Sequence, residues 1–140
     1  MDTEQRIRDL NDTAPPCVQS LGGRVEAFDA ERHRIEMRFS MPLEFCHSGN
    51  VVQGGFVTGM LDAAMAHAVF CEVGERIPLP SLEISVSFLR PTLAGPQLAR
   101  ARILRLGRSI AFLEGELFDQ DGRLTARATS TARAVRDPAP

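Results

Sequence analysis

The chain has 140 residues, 44% of them hydrophobic and 24% charged, which predicts one soluble globular domain. Lys and Arg total 16 against 18 Asp and Glu, so the strongly basic surface that nucleic acid requires is missing. Cys17, Cys46 and Cys71 stand in no C-x-x-C spacing, so neither a zinc site nor a disulfide framework is expected.

Residues 3–12 read as a short helix with Ile7 and Leu10 on one face, ended by Pro15-Pro16. Val25 and Ala27 then alternate with Arg24 and Glu26, and Ile35, Met37 and Phe39 with Arg34, Glu36 and Arg38. With Asp29-Ala30-Glu31 as the turn, this is a hairpin with one buried face. Residues 41–53 read as irregular, and Gly54-Gly55 follow. From Phe56 to about Cys71 the segment is a helix apolar on nearly every side, which predicts burial all round. Its longest apolar run, Ala63–Phe70, is interrupted by His67 and is too short to cross a membrane.

Period-two alternation then returns. Leu82, Ile84, Val86 and Phe88 interleave with Ser81, Glu83, Ser85 and Ser87; Ala99, Ala101 and Ile103 interleave with Arg100 and Arg102. Ile110, Phe112, Glu114, Glu116 and Phe118 share one parity, so two carboxylates interrupt that face. After the turn signal Asp121-Gly122, Leu124, Ala126, Ala128, Ser130, Ala132 and Ala134 share another. One buried helix and about six strands predict an α+β fold, an antiparallel sheet wrapped around one long central helix. The expected division is an N-terminal helix and lead-in over 1–19, a single domain over 20–136 and a disordered tail over 137–140. The polar, mixed-charge N-terminus is unlike a signal peptide, and a cytoplasmic protein is expected. A domain this small buries only about two-thirds of its unfolded surface, which favours a site shared between subunits over a deep private pocket.

Asp62 is the unusual residue, a carboxylate between Leu61 and Ala63 in a helix with almost no other charge. Burying a lone carboxylate is costly unless it is paired or protonated, which makes it a functional candidate. The alternatives are a polar point on a helix edge or a hydrogen bond to Thr58. Gly54 and Gly55 open the helix with backbone N–H groups at its positive end, where a polarised carbonyl oxygen can bind. Eight residues of helix separate Gly54 from Asp62, about 12 Å along the axis, so a partner subunit could place its own Asp62 nearer. His67 lies about 140° around the helix from Asp62 and is expected to be a packed or interfacial histidine, not a site residue. His33 reads as an exposed strand residue. Cys46 beside His47 suggests a thiol nucleophile, but adjacent side chains point apart and no activating helix N-terminus is evident there.

The run from Phe45 through Asp62 to Met65 resembles the loop and central helix of hotdog-fold acyl-CoA thioesterases, in particular the phenylacetyl-CoA and 4-hydroxybenzoyl-CoA thioesterase-like branch. Ser81–Pro91, Gly107-Arg108-Ser109 and Asp121–Ala126 resemble later strands and turns of the same family, so the likeness spans roughly residues 20–135. The resemblance implies hydrolysis of an acyl- or aryl-CoA with Asp62 as general base or nucleophile and the Gly54 N–H polarising the thioester carbonyl. It implies supporting roles for Gln53, His47 and Ser81, with Ser81 acting across a dimer interface. Gly55, Asn50, Arg90, Gly107, Arg108 and Ser109 are the implied substrate- and CoA-binding positions. It implies a homodimer, assembled as a dimer of dimers, with no metal or separate cofactor because CoA is part of the substrate. No nucleic-acid or membrane partner is implied.

The sequence departs from the family pattern at His47, where Asn or Gln is common, at Asn50, where Gly is frequent, and at Ala66, where some relatives carry a hydroxyl. The rival readings are an enoyl-thioester hydratase or dehydratase using His47 and Asp62, and a non-catalytic acyl-CoA-binding protein. Against the first, the proline-rich loop of such dehydratases is absent between those two residues.

Overall fold

The computed structural model describes residues 2–136, so the tail expected over 137–140 lies outside the described residues. Helix α1 (Thr3–Asp12) starts at Asp2, whose carboxylate accepts from Gln5 N–H at 2.7 Å, and stops before the proline pair. A short α2 (Pro16–Ser20) follows, with proline in its first turn. Strands β1 (Arg24–Asp29) and β2 (Arg34–Met41) form the first hairpin. The segment expected to be irregular contains a single 3-10 turn, Leu43–Phe45, and a small hairpin of β3 (Cys46–Ser48) and β4 (Val51–Val52). Its turn needs a left-handed residue, supplied by Gly49 at φ +57°. Asn50 therefore occupies a place that does not demand glycine.

The central helix α3 (Gly54–Val73) runs slightly beyond both expected ends and closes on Gly74, at φ +89°, whose N–H donates to Phe70 O at 2.9 Å. At 20 residues it is long and apolar enough to cross a membrane by length and composition, unlike the apolar run inside it. Here it lies against a sheet instead, with Met60, Leu61, Ala64, Met65, Ala68 and Val69 fully buried. Strands β5 (Ser81–Phe88), β6 (Gly95–Leu106), β7 (Ile110–Phe118) and β8 (Leu124–Arg133) complete a six-stranded antiparallel sheet in the order β1-β2-β6-β7-β8-β5. This is the α+β hotdog arrangement. Helix α1 adds to the same core through buried Leu10, and its Arg6 donates to Cys71 O near the end of α3 at 3.0 Å.

Three strand readings need correction. On β7 the core face is Ala111, Leu113, Gly115 and Leu117, while Ile110, Phe112, Glu114, Glu116 and Phe118 look outward. Side-chain size marks the wrong face because the inward row sets the small Ala111 and Gly115 among the buried Leu113 and Leu117, and α3 approaches closely at Gly115. A Cβ on Gly115 would lie 3.3 Å from both Leu61 Cδ2 and Met65 Cγ. On β1 a register shift between Val25 and Ala27 leaves Val25 buried and Ala27 exposed.

The third correction concerns β5, where the register shifts between Ser81 and Glu83. Ser81 pairs with buried Ala132, while Ile84 and Val86 pair with buried Ser130 and Ala128. The bulge therefore puts Ser81 on the helix side of the sheet, which strict alternation denies it, and leaves Leu82 59% exposed.

Gly115→Val should lower the stability of the native state by about 2 kcal/mol, the cost of overpacking a close-packed layer. Urea denaturation of the variant against the wild type measures it.

Candidate active site

The first N–H groups of an α-helix have no partner inside the helix. In α3 the Gln53 side chain carbonyl accepts from Gly55 N–H at 2.8 Å, and the Gln53 backbone carbonyl accepts from Phe56 and Val57 N–H at 2.9 and 3.3 Å. The Gly54 N–H is left without an acceptor among the described residues. It stands at the positive end of a 20-residue helix, a suitable place for a developing oxyanion. Phe45 stacks on Phe56 with ring centres 4.1 Å apart, pinning the preceding loop to this helix start.

Asp62 is exposed, which overturns the expectation that α3 is covered on every side. The sheet leaves one face of α3 open; Gly55 is exposed there too. Ser81 Oγ donates to Asp62 Oδ1 at 3.1 Å. This contact forms within one chain, where a contact across an interface was expected, and it depends on the β5 bulge. Thr58 does not reach Asp62; its hydroxyl donates to Gly54 O at 2.9 Å.

The remaining expected residues separate into two groups at opposite ends of β5. One row across the sheet runs Ser81–Ala132–Ala111–Leu106, so the Gly107-Arg108-Ser109 turn lies at the Asp62 end. Arg136 donates to the carbonyls of Gly107 and Arg108 there, and Ala134 N–H to Ser109 O. At the other end the Phe88 ring lies against Gly54, with Cζ 3.3 Å from where a glycine Cβ would be. A cleft of about 370 Å³ opens beside it, lined by His47, Gly54, Phe88 and Arg90 among others. Exposed His47 holds Ser48 Oγ at 2.8 Å through Nδ1, and Asn50 uses its backbone carbonyl to accept from Ala94 N–H at 2.8 Å. Along β5, residues 81 and 88 are about 23 Å apart at strand rise. Sequence reasoning assigned Phe88 to an apolar strand face and missed its contact with Gly54; the only signal was its place next to the Arg90-Pro91 strand end.

Other reactive side chains are structural. Cys46 Sγ is turned to Pro42 O at 3.8 Å, and burial pushes the Cys71 thiol up to about 11. His33 belongs to the β1–β2 turn, not a strand, at φ +53° and 2.6 Å from Glu72. Glu114 pairs with Arg102 on the outer face. His67 is buried, its Nδ1 2.7 Å from Ala63 O and its Nε2 3.3 Å from Arg76 Nη1. An N–H on Nδ1 and a lone pair on Nε2 satisfy both contacts, so the ring is neutral. Burial, with a smaller push from Arg76, lowers its pKa to about 4 against the opposing Ala63 hydrogen bond.

A helix laid on an antiparallel sheet, with a free N–H at the helix start and a carboxylate on the helix's open face, defines a hotdog protein equipped for acyl chemistry. The thioesterase superfamily model matches residues 49–126, and the chain belongs to that family of thioester hydrolases. A phenylacetic acid degradation-related protein of Ralstonia eutropha JMP134 is 33% identical, with 94% of this chain and 98% of that one covered and a TM-score of 0.82. A relative from Saccharolobus solfataricus is 28% identical over 112 residues, 80% of this chain and 79% of that protein. Thioesterase HI1161 of Haemophilus influenzae shares the fold at 22% identity and a TM-score of 0.81, with 93% and 90% of the two chains covered.

The neutral His67 predicts acid sensitivity. The unfolded chain binds a proton near pH 6.5 and the native state only near pH 4, so stability falls as pH drops through that window. Between pH 7 and pH 5 this site should cost about 2 kcal/mol. Urea denaturation at the two pH values should show that loss in the wild type and a smaller one in His67→Gln.

Proposed function

We propose that this chain hydrolyses the thioester of an acyl- or aryl-CoA in a site completed by two copies of itself. The observation that carries the reading is the placement of two complementary half-sites at opposite ends of one edge strand. Among the described residues, strand β5 pairs only with β8, and its other edge is open. Such an edge invites a further strand. If two copies of β5 pair antiparallel about their centres, the Asp62–Ser81 end of one meets the Gly54–Phe88 end of the other. A carboxylate base and an oxyanion donor then flank one thioester.

In this arrangement the Gly54 N–H of one copy binds the carbonyl oxygen and favours the tetrahedral intermediate. Asp62 of the other copy takes a proton from water as the water oxygen attacks the carbonyl carbon; as a nucleophile it would attack directly and form an anhydride that water then opens. Collapse of the intermediate breaks the C–S bond, releasing the acid and the CoA thiolate, which is protonated. Ser81 holds one Asp62 oxygen by its hydroxyl and leaves the other for water. Gln53 presents its amide NH2 towards solvent, since its carbonyl caps Gly55. His47 borders the cleft from the loop. Arg108, exposed on the β6–β7 turn at the Asp62 end of the sheet, and Arg90, exposed just beyond β5 at the other end, suit the CoA phosphates.

Asp62→Asn should lower kcat for hydrolysis of acyl-CoA by about 10²–10⁴-fold with the fold retained, read as free thiol released; a wild-type rate would remove Asp62 from the mechanism. Gly54→Pro deletes only an unpaired N–H at a position where proline suits a helix, since Gln53 is already extended, although the Phe88 ring must yield slightly. It should cost about 10²–10³-fold in kcat. Co-expressed D62N and G54P chains should recover roughly a quarter of wild-type activity, because random pairing leaves one intact site in each mixed dimer. No recovery would mean that each chain uses its own Asp62 and Gly54. His47→Asn, which introduces the residue common in the family, should keep substantial activity; complete loss would make His47 essential.

A further inference from the structure

We infer that Phe88 sets the size of the acyl group this enzyme accepts, and that the cleft beside Gly54 takes compact, uncharged acyl chains. The inference rests on the hydrolysis proposed for this chain and adds the residue that limits its substrate.

The cleft begins where the carbonyl would bind, at the Gly54 N–H. Its walls are mostly apolar: Val51, Val52, Val57, Phe88 and Leu89. The pantetheine arm of CoA carries two amides and a hydroxyl, which such walls would leave without partners. An alkyl or aryl group loses nothing there and gains burial. The acyl side of the thioester therefore suits the cleft, and the pantetheine side belongs in the more open path along the strand edge.

The walls differ in their freedom to move. One is closed by backbone pairing, with Val52 N–H donating to Thr92 O at 2.8 Å and Val51 bridged to Leu93. A second is the first turn of α3, with Val57 buried in the core. The exposed part of the apolar lining is the strand end, with Phe88 at 56% and Leu89 at 52%, and it is the Phe88 ring that packs against Gly54, the glycine that opens α3. At the roughly 30 Å³ that a water-sized group occupies in a liquid, the cleft of about 370 Å³ holds on the order of ten heavy atoms. A longer chain that starts at Gly54 runs against the Phe88 ring, which borders Gly54 on the exposed side of the cleft.

The test uses the full chain with straight-chain acyl-CoAs from acetyl through octanoyl to palmitoyl. The wild type should favour octanoyl over palmitoyl in kcat/KM, and Phe88→Ala should raise the palmitoyl-to-octanoyl ratio by about tenfold or more. Phe88→Trp should move the preference towards acetyl and hexanoyl. It also introduces the only tryptophan in a chain that has none, giving an emission readout independent of turnover. The stable thioether S-octyl-CoA should shift that emission, and S-hexadecyl-CoA should do so far less. Hydrolysis with a ratio unchanged by F88A overturns the role of Phe88 and leaves the thioesterase reading intact. An emission shift selective for the octyl thioether with no hydrolysis of any substrate supports the cleft and overturns the hydrolysis. Neither hydrolysis nor an emission shift overturns both.

Discussion

The close seating of α3 on the sheet governs the rest of the molecule. Ala99, Ala101, Ala111, Gly115 and Ala126 form a layer of small residues, and Met60, Leu61 and Met65 fill the space they leave. Each of these larger side chains contributes about 1.5–3 kcal/mol by leaving water. The contact also has a directional result. A helix packed on one side of a sheet keeps an uncovered face, and Asp62 and Gly55 lie on it. Because the seat fixes both the rotation and the height of the helix, it also fixes which end of β5 receives Gly54 and which receives Asp62.

The bulge in β5 connects that seat to the site. Without the extra residue, Ser81 would share the outward face with Ser85 and Ser87, out of reach of Asp62. With it, Ser81 turns inward and Leu82 is forced out into solvent, an unfavourable exposure for a large aliphatic side chain. That cost is accepted at the same strand end that carries the Asp62 contact. It falls on an open sheet edge, where a second copy of the strand would cover Leu82 and supply the missing backbone partners.

Much of this arrangement is legible in the residues. The central helix is evident from its apolar composition, and β2, β6 and β8 from their alternation, because each buries one continuous face. The failures have physical causes. The outward face of β7 carries Ile110, Phe112 and Phe118, and the inward face sets Ala111 and Gly115 among Leu113 and Leu117, with Gly115 small because the helix is near. Hydrophobicity points the wrong way where packing distance decides. Composition predicts a buried Asp62 because Gly and Ala read as core residues on every side of α3, whereas Gly55 stands on the uncovered face simply as a small residue. A bulge leaves no mark in a pattern of period two, so a place for Ser81 near the site is legible only through the family resemblance.

The capping of α3 explains why glutamine suits position 53. Ser, Thr, Asp and Asn are the stronger caps, but an Asp there would place a full negative charge beside the uncapped Gly54 amide. Gln53 satisfies the Gly55 N–H through a neutral carbonyl and covers two further donors with its backbone carbonyl. The helix start is thus secured at every early N–H except the first, and no charge opposes the field there. Helix capping and anion binding usually compete for the same N–H groups. Here they are divided: the N–H groups of residues 55 to 57 are capped, and that of Gly54 has no acceptor among the described residues.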